Sequence, residues 1–164
     1  MRAAVYTQYG APDVLNIKQL DQPTPEDTDL LIKVHATSVT TGDCNIRGFV
    51  FVPDGFKFLT RLAMGLRKPR KAVLGLEFAG EVEAVGKNVT RFKVGDQVFG
   101  LDGSKLGAYA EYKVISQDAG VTRKPHNLSY EDAVAIPNGA LTAFTFLQKL
   151  TTLQNGDRIL INGA

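Results

Sequence analysis

The 164-residue sequence contains no tryptophan, one cysteine and two histidines, and these scarcities exclude whole classes of site. The single cysteine, Cys44, excludes an internal disulfide and a cysteine-built structural zinc site, and it is typical of a reducing compartment. No apolar run approaches the ~20 residues of a membrane span, and the N-terminus lacks a signal peptide's long apolar segment. The net charge of +2 is too small to indicate nucleic acid. We therefore expect a cytoplasmic protein with neither nucleic acid nor a membrane as partner.

The most regular pattern lies between Leu74 and Gly100. Residues 78–85 alternate between an apolar set that includes Phe78 and Val82 and a set that includes Glu81 and Glu83, which predicts a strand with one buried face. Glycines recur every five to nine residues through this stretch. Short strands with frequent glycine corners favour a curved, barrel-like sheet.

The remaining elements follow from local patterns. We predict strands over residues 1–6, 15–20, 30–36, 97–99, 107–115 and 121–125, with the first two paired as a hairpin. Helices are predicted over 56–66, 130–135 and 140–150, with a break before Pro137 and with Asn138 as a cap. The continuous apolar run at 158–162 predicts a strand buried on both faces, as in a parallel sheet.

Three polar features leave alternatives open. Thr40 and Asp43 have the spacing of a capping box, which accounts for both residues, although such a corner is also a good place to meet a ligand. Thr142 could bond its own preceding helical turn or hold a ligand with its hydroxyl. The cations between Lys57 and Lys71 form either a solvated face or a field that attracts an anionic cofactor or substrate.

Several motifs together resemble one family. The run LGLEFAGEVEAVG followed by FKVGDQV, the opening MRAAVYTQYGAPDVL and the segment GAYAEY resemble the medium-chain dehydrogenase/reductase superfamily, on the zinc-free side that includes quinone oxidoreductases. The resemblance implies a mainly β fold with α: a GroES-like β-barrel domain over residues 1–126, followed over 127–164 by the first helices and first strand of a Rossmann domain. That second domain is expected to be incomplete, because the sequence stops where its glycine-rich turn would begin.

The resemblance also implies a function. The intact protein is expected to reduce quinones, enones or related carbonyl compounds with NADP or NAD as cofactor, NADPH being favoured, and to form a homodimer. The fragment alone is expected to be inactive. Cofactor contacts are expected at Thr142, Thr40 and Asn45, and the catalytic residues stay unassigned. A non-enzymatic GroES-like binding or structural module is the alternative.

The same resemblance bears on the metal and the substrate. Zinc-dependent members place a cysteine ligand where this sequence has Thr40 and a histidine ligand where it has Leu76, so no zinc is expected. Quinone oxidoreductases often carry tyrosines where this sequence has Asn45 and the run from Phe49 to Phe51. The small-molecule substrate is therefore left open.

Overall fold

An antiparallel sheet of five strands forms the centre of the protein, in a computed structural model that describes residues 1–149 and 151–162. In chain order the strands are β1 (Arg2–Tyr6), β2 (Leu15–Gln19), β3 (Asp29–Ala36), β4 (Glu77–Val85), β5 (Gln97–Leu101), β6 (Tyr112–Ser116) and β7 (Val121–Arg123). The sheet has the order β6-β3-β4-β5-β7, and β1 and β2 pair separately as the predicted hairpin. Isolated bridges from Ala3 to Ala110 and from Val5 to Val73 join this hairpin to the rest of the protein. The mainly β fold with α is thus confirmed.

Four α-helices lie between and after the strands. Among the described residues they are α1 (Thr41–Gly48), α2 (Lys57–Met64), α3 (Tyr130–Val134) and α4 (Ile136–Phe144), the last continued by a π-helical turn at Thr145–Lys149. Within residues 1–149 and 151–162, no helix combines the length and the apolar character that a bilayer crossing requires.

The sheet buries one continuous apolar cluster. Leu30, Ile32, Phe78, Val82 and Val98 are each 0% exposed and form its centre. They belong to β3, β4 and β5, and their spacing of two or four residues within a strand is the predicted alternation.

Strand β4 runs unusually close to β3 at Gly80. A Cβ at this position would overlap the carbonyl oxygen of Lys33, so only glycine allows the two backbones to approach in this way. The glycine-rich pattern of the sequence here reflects strand packing.

Two predictions about the C-terminal part are wrong. Residues 158–162 form no strand, and Leu160 is 92% exposed. A parallel strand is stable only between neighbouring strands, and the described part of the chain supplies none for this run.

The last helix also begins earlier than predicted. It starts at Ile136, with Pro137 in its first turn, where a missing N–H costs nothing. Asn138 therefore lies inside α4 and does not cap it. The predicted end of this helix at Leu150 lies outside the described residues.

Candidate functional site

Helix α1 begins with the capping box that the sequence predicts. Thr40 Oγ1 accepts a hydrogen bond from the N–H of Asp43 at 3.2 Å. In return, Asp43 Oδ2 accepts bonds from the N–H of Thr40 at 3.1 Å and from its hydroxyl at 2.7 Å. The hydroxyl proton of Thr40 is therefore committed to Asp43, and the oxygen keeps one lone pair with which it can accept a bond from a ligand.

Asp43 also connects α1 to the residues that precede β4. Its side chain is buried, and Oδ1 accepts a hydrogen bond from the N–H of Gly75 at 3.0 Å. Gly75 has a φ of +100°, and a Cβ there would come within 2.7 Å of the Tyr109 ring and backbone nitrogen. This corner consequently requires glycine.

The hydroxyl of Tyr109 is buried beside this corner without a hydrogen-bond partner among residues 1–149 and 151–162. Burial, and after it the neighbouring Asp43 carboxylate, raises the pKa of Tyr109. The phenol therefore stays protonated at neutral pH.

Glu77, at the start of β4, is a functional candidate that the sequence analysis missed. Its side chain is buried, with 3% of the residue exposed. Oε1 accepts a hydrogen bond from the backbone N–H of Asn138 at 2.8 Å, and Oε2 accepts one from the hydroxyl of Ser38. The backbone carbonyl of Glu77 accepts a third bond, from Thr37 Oγ1 at 2.8 Å. One carboxylate thus joins the loop before α1 to helix α4.

This contact supplies the cap that α4 lacks locally. The residue at the N-cap position, Ala135, offers no side-chain acceptor to the free N–H groups of the first turn. Glu77 reaches one of those groups from a distant strand, and its negative charge complements the positive end of the helix dipole. The position of α4 therefore depends on a contact across 61 residues of chain.

Thr142 lies one helical turn beyond Asn138, about 5–6 Å along α4. Its side chain is exposed and, within the described residues, its hydroxyl bonds no carbonyl of the preceding turn. Thr151 shows the contrasting arrangement, because its hydroxyl donates to the carbonyls of Phe146 and Leu147, each at 3.0 Å. The local role that the sequence left open for Thr142 is therefore not observed, and its hydroxyl is free for a ligand.

Asn45 is partly buried in the second turn of α1. Its side-chain amide has no hydrogen-bond partner in the part of the chain that the structure describes, so it can both donate to and accept from a ligand. Thr40 and Asn45 follow Ser38 along the chain, and Thr142 follows Asn138, so the three residues belong to the two segments that Glu77 joins.

A groove of about 570 Å³ borders the loop that Glu77 holds. This volume falls within the range of small-molecule sites. The groove is lined mainly by apolar side chains of the hairpin and of the chain around Thr37, with Tyr109, His35 and Glu111 among its polar residues. His35, to which the sequence assigns no role, also stacks on Tyr130 at 4.5 Å between ring centroids.

The two positions where the resemblance places zinc ligands carry poor metal donors. The Thr40 hydroxyl is bonded to Asp43, and Leu76 is apolar. The Leu76 side chain lies against the first turn of α1, since a Cβ on Gly42 would come within 2.9 Å of Leu76 Cδ1. Among the described residues, no three His, Cys, Asp or Glu side chains come together.

Comparison with known proteins shows the family to which the chain belongs. The family model described as "Alcohol dehydrogenase GroES-like domain" matches residues 26–126. The chain is 34% identical over 166 residues to a quinone oxidoreductase of Lama guanicoe, an alignment covering 100% of this chain and 46% of that protein. It is 32% identical over 160 residues to a zinc-type alcohol dehydrogenase-like protein of Staphylococcus aureus, covering 93% of this chain and 43% of that protein.

A solved structure shows the same fold. The quinone oxidoreductase of Escherichia coli, in a complex with NADPH, superposes with a TM-score of 0.78 at 25% identity, covering 94% of this chain and 42% of that one. The chain spans less than half the length of the curated relatives that it matches. It belongs to the alcohol dehydrogenase GroES-like domain family, in the quinone oxidoreductase-like branch of the medium-chain dehydrogenase/reductase superfamily.

Proposed function

We propose that the intact protein is a cytoplasmic, homodimeric oxidoreductase that reduces quinones, enones or related carbonyl compounds with NADPH, or less favourably NADH, and without zinc. Residues 1–126 would supply the substrate side of the cleft, and residues 127–164 would begin the cofactor domain. The observation that carries the proposal is the Glu77 contact. Its buried carboxylate accepts hydrogen bonds from Ser38, in the loop before α1, and from Asn138 in α4, and so joins these two segments. The NADPH complex of the Escherichia coli relative supports the choice of cofactor.

Three polar side chains on the two segments that Glu77 joins have the hydrogen-bonding groups that a nicotinamide needs. Its carboxamide both donates and accepts hydrogen bonds, and the free hydroxyl of Thr142 and the free amide of Asn45 can each do the same. Thr40 can only accept, since its proton is bonded to Asp43. The bound cofactor would supply the hydride, and these side chains would orient its ring toward the acceptor.

A mechanism without zinc is supported by the chemistry of the donors. Neither Thr40 nor Leu76 offers the thiolate or imidazole that zinc prefers. Negative charge that develops on the acceptor oxygen would then be stabilised by hydroxyl or backbone N–H donors, or be delocalised within an enone or quinone. This favours conjugated acceptors over simple ketones.

The activity is tested with the intact protein, NADPH or NADH, and a panel of quinones, enones and simple ketones. We expect oxidation of NADPH by the conjugated acceptors and zinc far below one ion per chain by elemental analysis. Failure of every acceptor with both cofactors would refute the reductase. Stoichiometric zinc in an active enzyme would refute the metal-free mechanism alone.

The cofactor contact is tested at Thr142. We expect Thr142→Val to raise the KM for NADPH by about 5- to 10-fold, because the loss of one hydrogen bond costs about 1 kcal/mol. Thr142→Ser keeps the hydroxyl and should restore the original KM. Thr90→Val is the matched control, because Thr90 is exposed in the loop after β4. Equal KM values for Thr142→Val and Thr90→Val would exclude the contact.

A further inference from the structure

Helix α2 is held against the protein through Arg61 and its C-terminal end, and its apolar side faces solvent. The Arg61 guanidinium carbon lies 4.4 Å from the ring centroids of both Tyr9 and Phe49. The Tyr9 hydroxyl donates to the carbonyls of Met64 at 3.1 Å and Gly65 at 3.2 Å. The predicted helix is therefore confirmed, and these contacts hold it with an orientation that periodicity alone does not indicate.

The outward side of this segment forms an apolar ridge. Its members are exposed by about half to two thirds of their surface: Phe56 (63%), Phe58 (70%), Leu59 (62%), Leu62 (49%) and Leu66 (51%). Val50 and Phe51, immediately before it, are exposed as well. The spacing of residues 58, 59, 62 and 66 puts their side chains on one side of a helix, and a group of exposed apolar side chains marks an interaction site.

The ridge lies within the most basic part of the chain. Residues 56–71 contain six Lys or Arg and no Asp or Glu, although the whole chain has a net charge of only +2. Arg70 and Lys71 donate to backbone carbonyls, of Leu62 and Ser104 respectively. Arg67 and Lys68 are exposed, and within residues 1–149 and 151–162 neither forms an ion pair or a side-chain hydrogen bond. Two cations beside the ridge are thus free to bind an anionic surface.

We propose that this ridge and its flanking cations dock the protein on the surface of an anionic lipid bilayer. Exposed Phe and Leu side chains with Lys and Arg beside them are the composition of segments that lie in a membrane interface. The sequence-based expectation of no membrane partner rested on the length needed to span a bilayer, and this proposal replaces it, because a surface contact needs no spanning segment.

Charge complementarity selects this occupant over two others. A second copy of the chain would place one segment with six cations against another, and the like charges would repel. Single-stranded nucleic acid binds through aromatic stacking, whereas most of the ridge is leucine, which does not stack. The exposed apolar residues near the C-terminus, such as Phe144 and Leu160, belong to residues 141–162, which contain two cations, Lys149 and Arg158, against six in residues 56–71.

The proposal is tested by co-sedimentation of the purified protein with vesicles of phosphatidylcholine alone or of phosphatidylcholine and phosphatidylserine in a two-to-one ratio. We expect binding to the anionic vesicles only, weakened by added salt. Each cation near such a surface contributes about a five-fold factor to partitioning, so Arg67→Gln with Lys68→Gln should weaken binding roughly 25-fold. The control pair, Lys18→Gln with Lys93→Gln, removes the same charge from exposed sites elsewhere and should change it far less.

A second pair of variants separates the apolar part from the charge. Phe58→Gln with Leu62→Gln should also weaken sedimentation strongly, whereas Ile17→Thr, which removes another exposed apolar side chain, should not. If the Arg67/Lys68 variant and the Lys18/Lys93 control lost vesicle binding equally, the attraction would be non-specific and the proposal would be overturned. So would absence of binding, equal binding to neutral vesicles, preferential binding of a single-stranded oligonucleotide, or hydrogen-exchange protection of residues 56–66 before vesicles are added. Reductase activity is not part of the readout, so the test is independent of the proposed function.

Discussion

Removal of the Glu77 carboxylate should release helix α4 from the α1 corner. Glu77→Ala deletes two charge-assisted hydrogen bonds, which contribute about 1.5–3 kcal/mol each. It also leaves the Asn138 N–H without an acceptor. Relief of the buried charge offsets part of this loss, so we expect a net fall of about 3 kcal/mol in the free energy of unfolding.

Glu77→Gln should be much milder, at about 1 kcal/mol, because the amide oxygen can still accept from Asn138 and the Ser38 hydroxyl can turn to accept from the amide nitrogen. Glu83→Ala is the control from the same strand, since Glu83 is exposed on β4. Urea denaturation of the three variants gives the free energies, and amide hydrogen exchange follows Asn138 directly.

Two results would refute this reasoning. If Glu77→Ala were no more destabilising than Glu83→Ala, the carboxylate would contribute no net stability. If hydrogen exchange at Asn138 were unchanged in Glu77→Ala, its N–H would not depend on Glu77. The carboxylate would then not connect the loop before α1 to helix α4.

Three further predictions concern the sheet and its buried ion pair. Gly80→Ala should destabilise the protein by more than about 2 kcal/mol, because the added Cβ would overlap the Lys33 carbonyl of β3. Gly139→Ala, at a helical position with open space around it, should stabilise the protein by about 0.5–1 kcal/mol. Thermal melting of the two variants measures both effects. Lys113→Met should lower the free energy of unfolding by about 3–5 kcal/mol, because it leaves the Asp102 carboxylate, 3.1 Å from Lys113 Nζ in the native protein, buried without this partner. The double variant with Asp102→Asn should recover part of that loss, as measured by urea denaturation. Burial opposes ionisation of Asp102, but the N–H of Lys105 and the ammonium of Lys113 together hold the pKa of that carboxyl below its usual value. The stability that this carboxylate contributes is therefore present above about pH 4 and is lost at lower pH. The free energy of unfolding of Asp102→Asn should depend less on pH in that range, and a profile equal to that of the unmodified protein would contradict this.

The part of the site that could be predicted from sequence is the part made by neighbours in the chain. The capping box joins Thr40 to a residue three positions away, so its spacing is visible in the sequence. Glu77 was missed because its partners lie 39 and 61 residues away. The available signal was a carboxylate inside the apolar run from Leu74 to Gly80, which is unfavourable unless its oxygens are bonded.

The same limit explains the other differences. The spacing of Phe58 and Leu62 predicts a helix, but the side that faces the protein is decided by the rings of Tyr9 and Phe49, which the pattern does not contain. The run at 158–162 has strand-forming residues, yet a strand also needs partners. Composition and period thus predict what a segment can form, and distant contacts decide whether and where it does.

The open sheet has a further consequence at its borders. Unpaired strand edges invite other chains to add on and aggregate. At one border β7 is only three residues long and ends in Arg123, whose guanidinium bonds the Asp96 carboxylate at 3.1 Å. At the other, the bridge from Ala3 to Ala110 brings the hairpin beside the segment that enters β6. Both margins are therefore short or shielded, which limits chain-to-chain strand pairing even though the protein displays apolar side chains elsewhere.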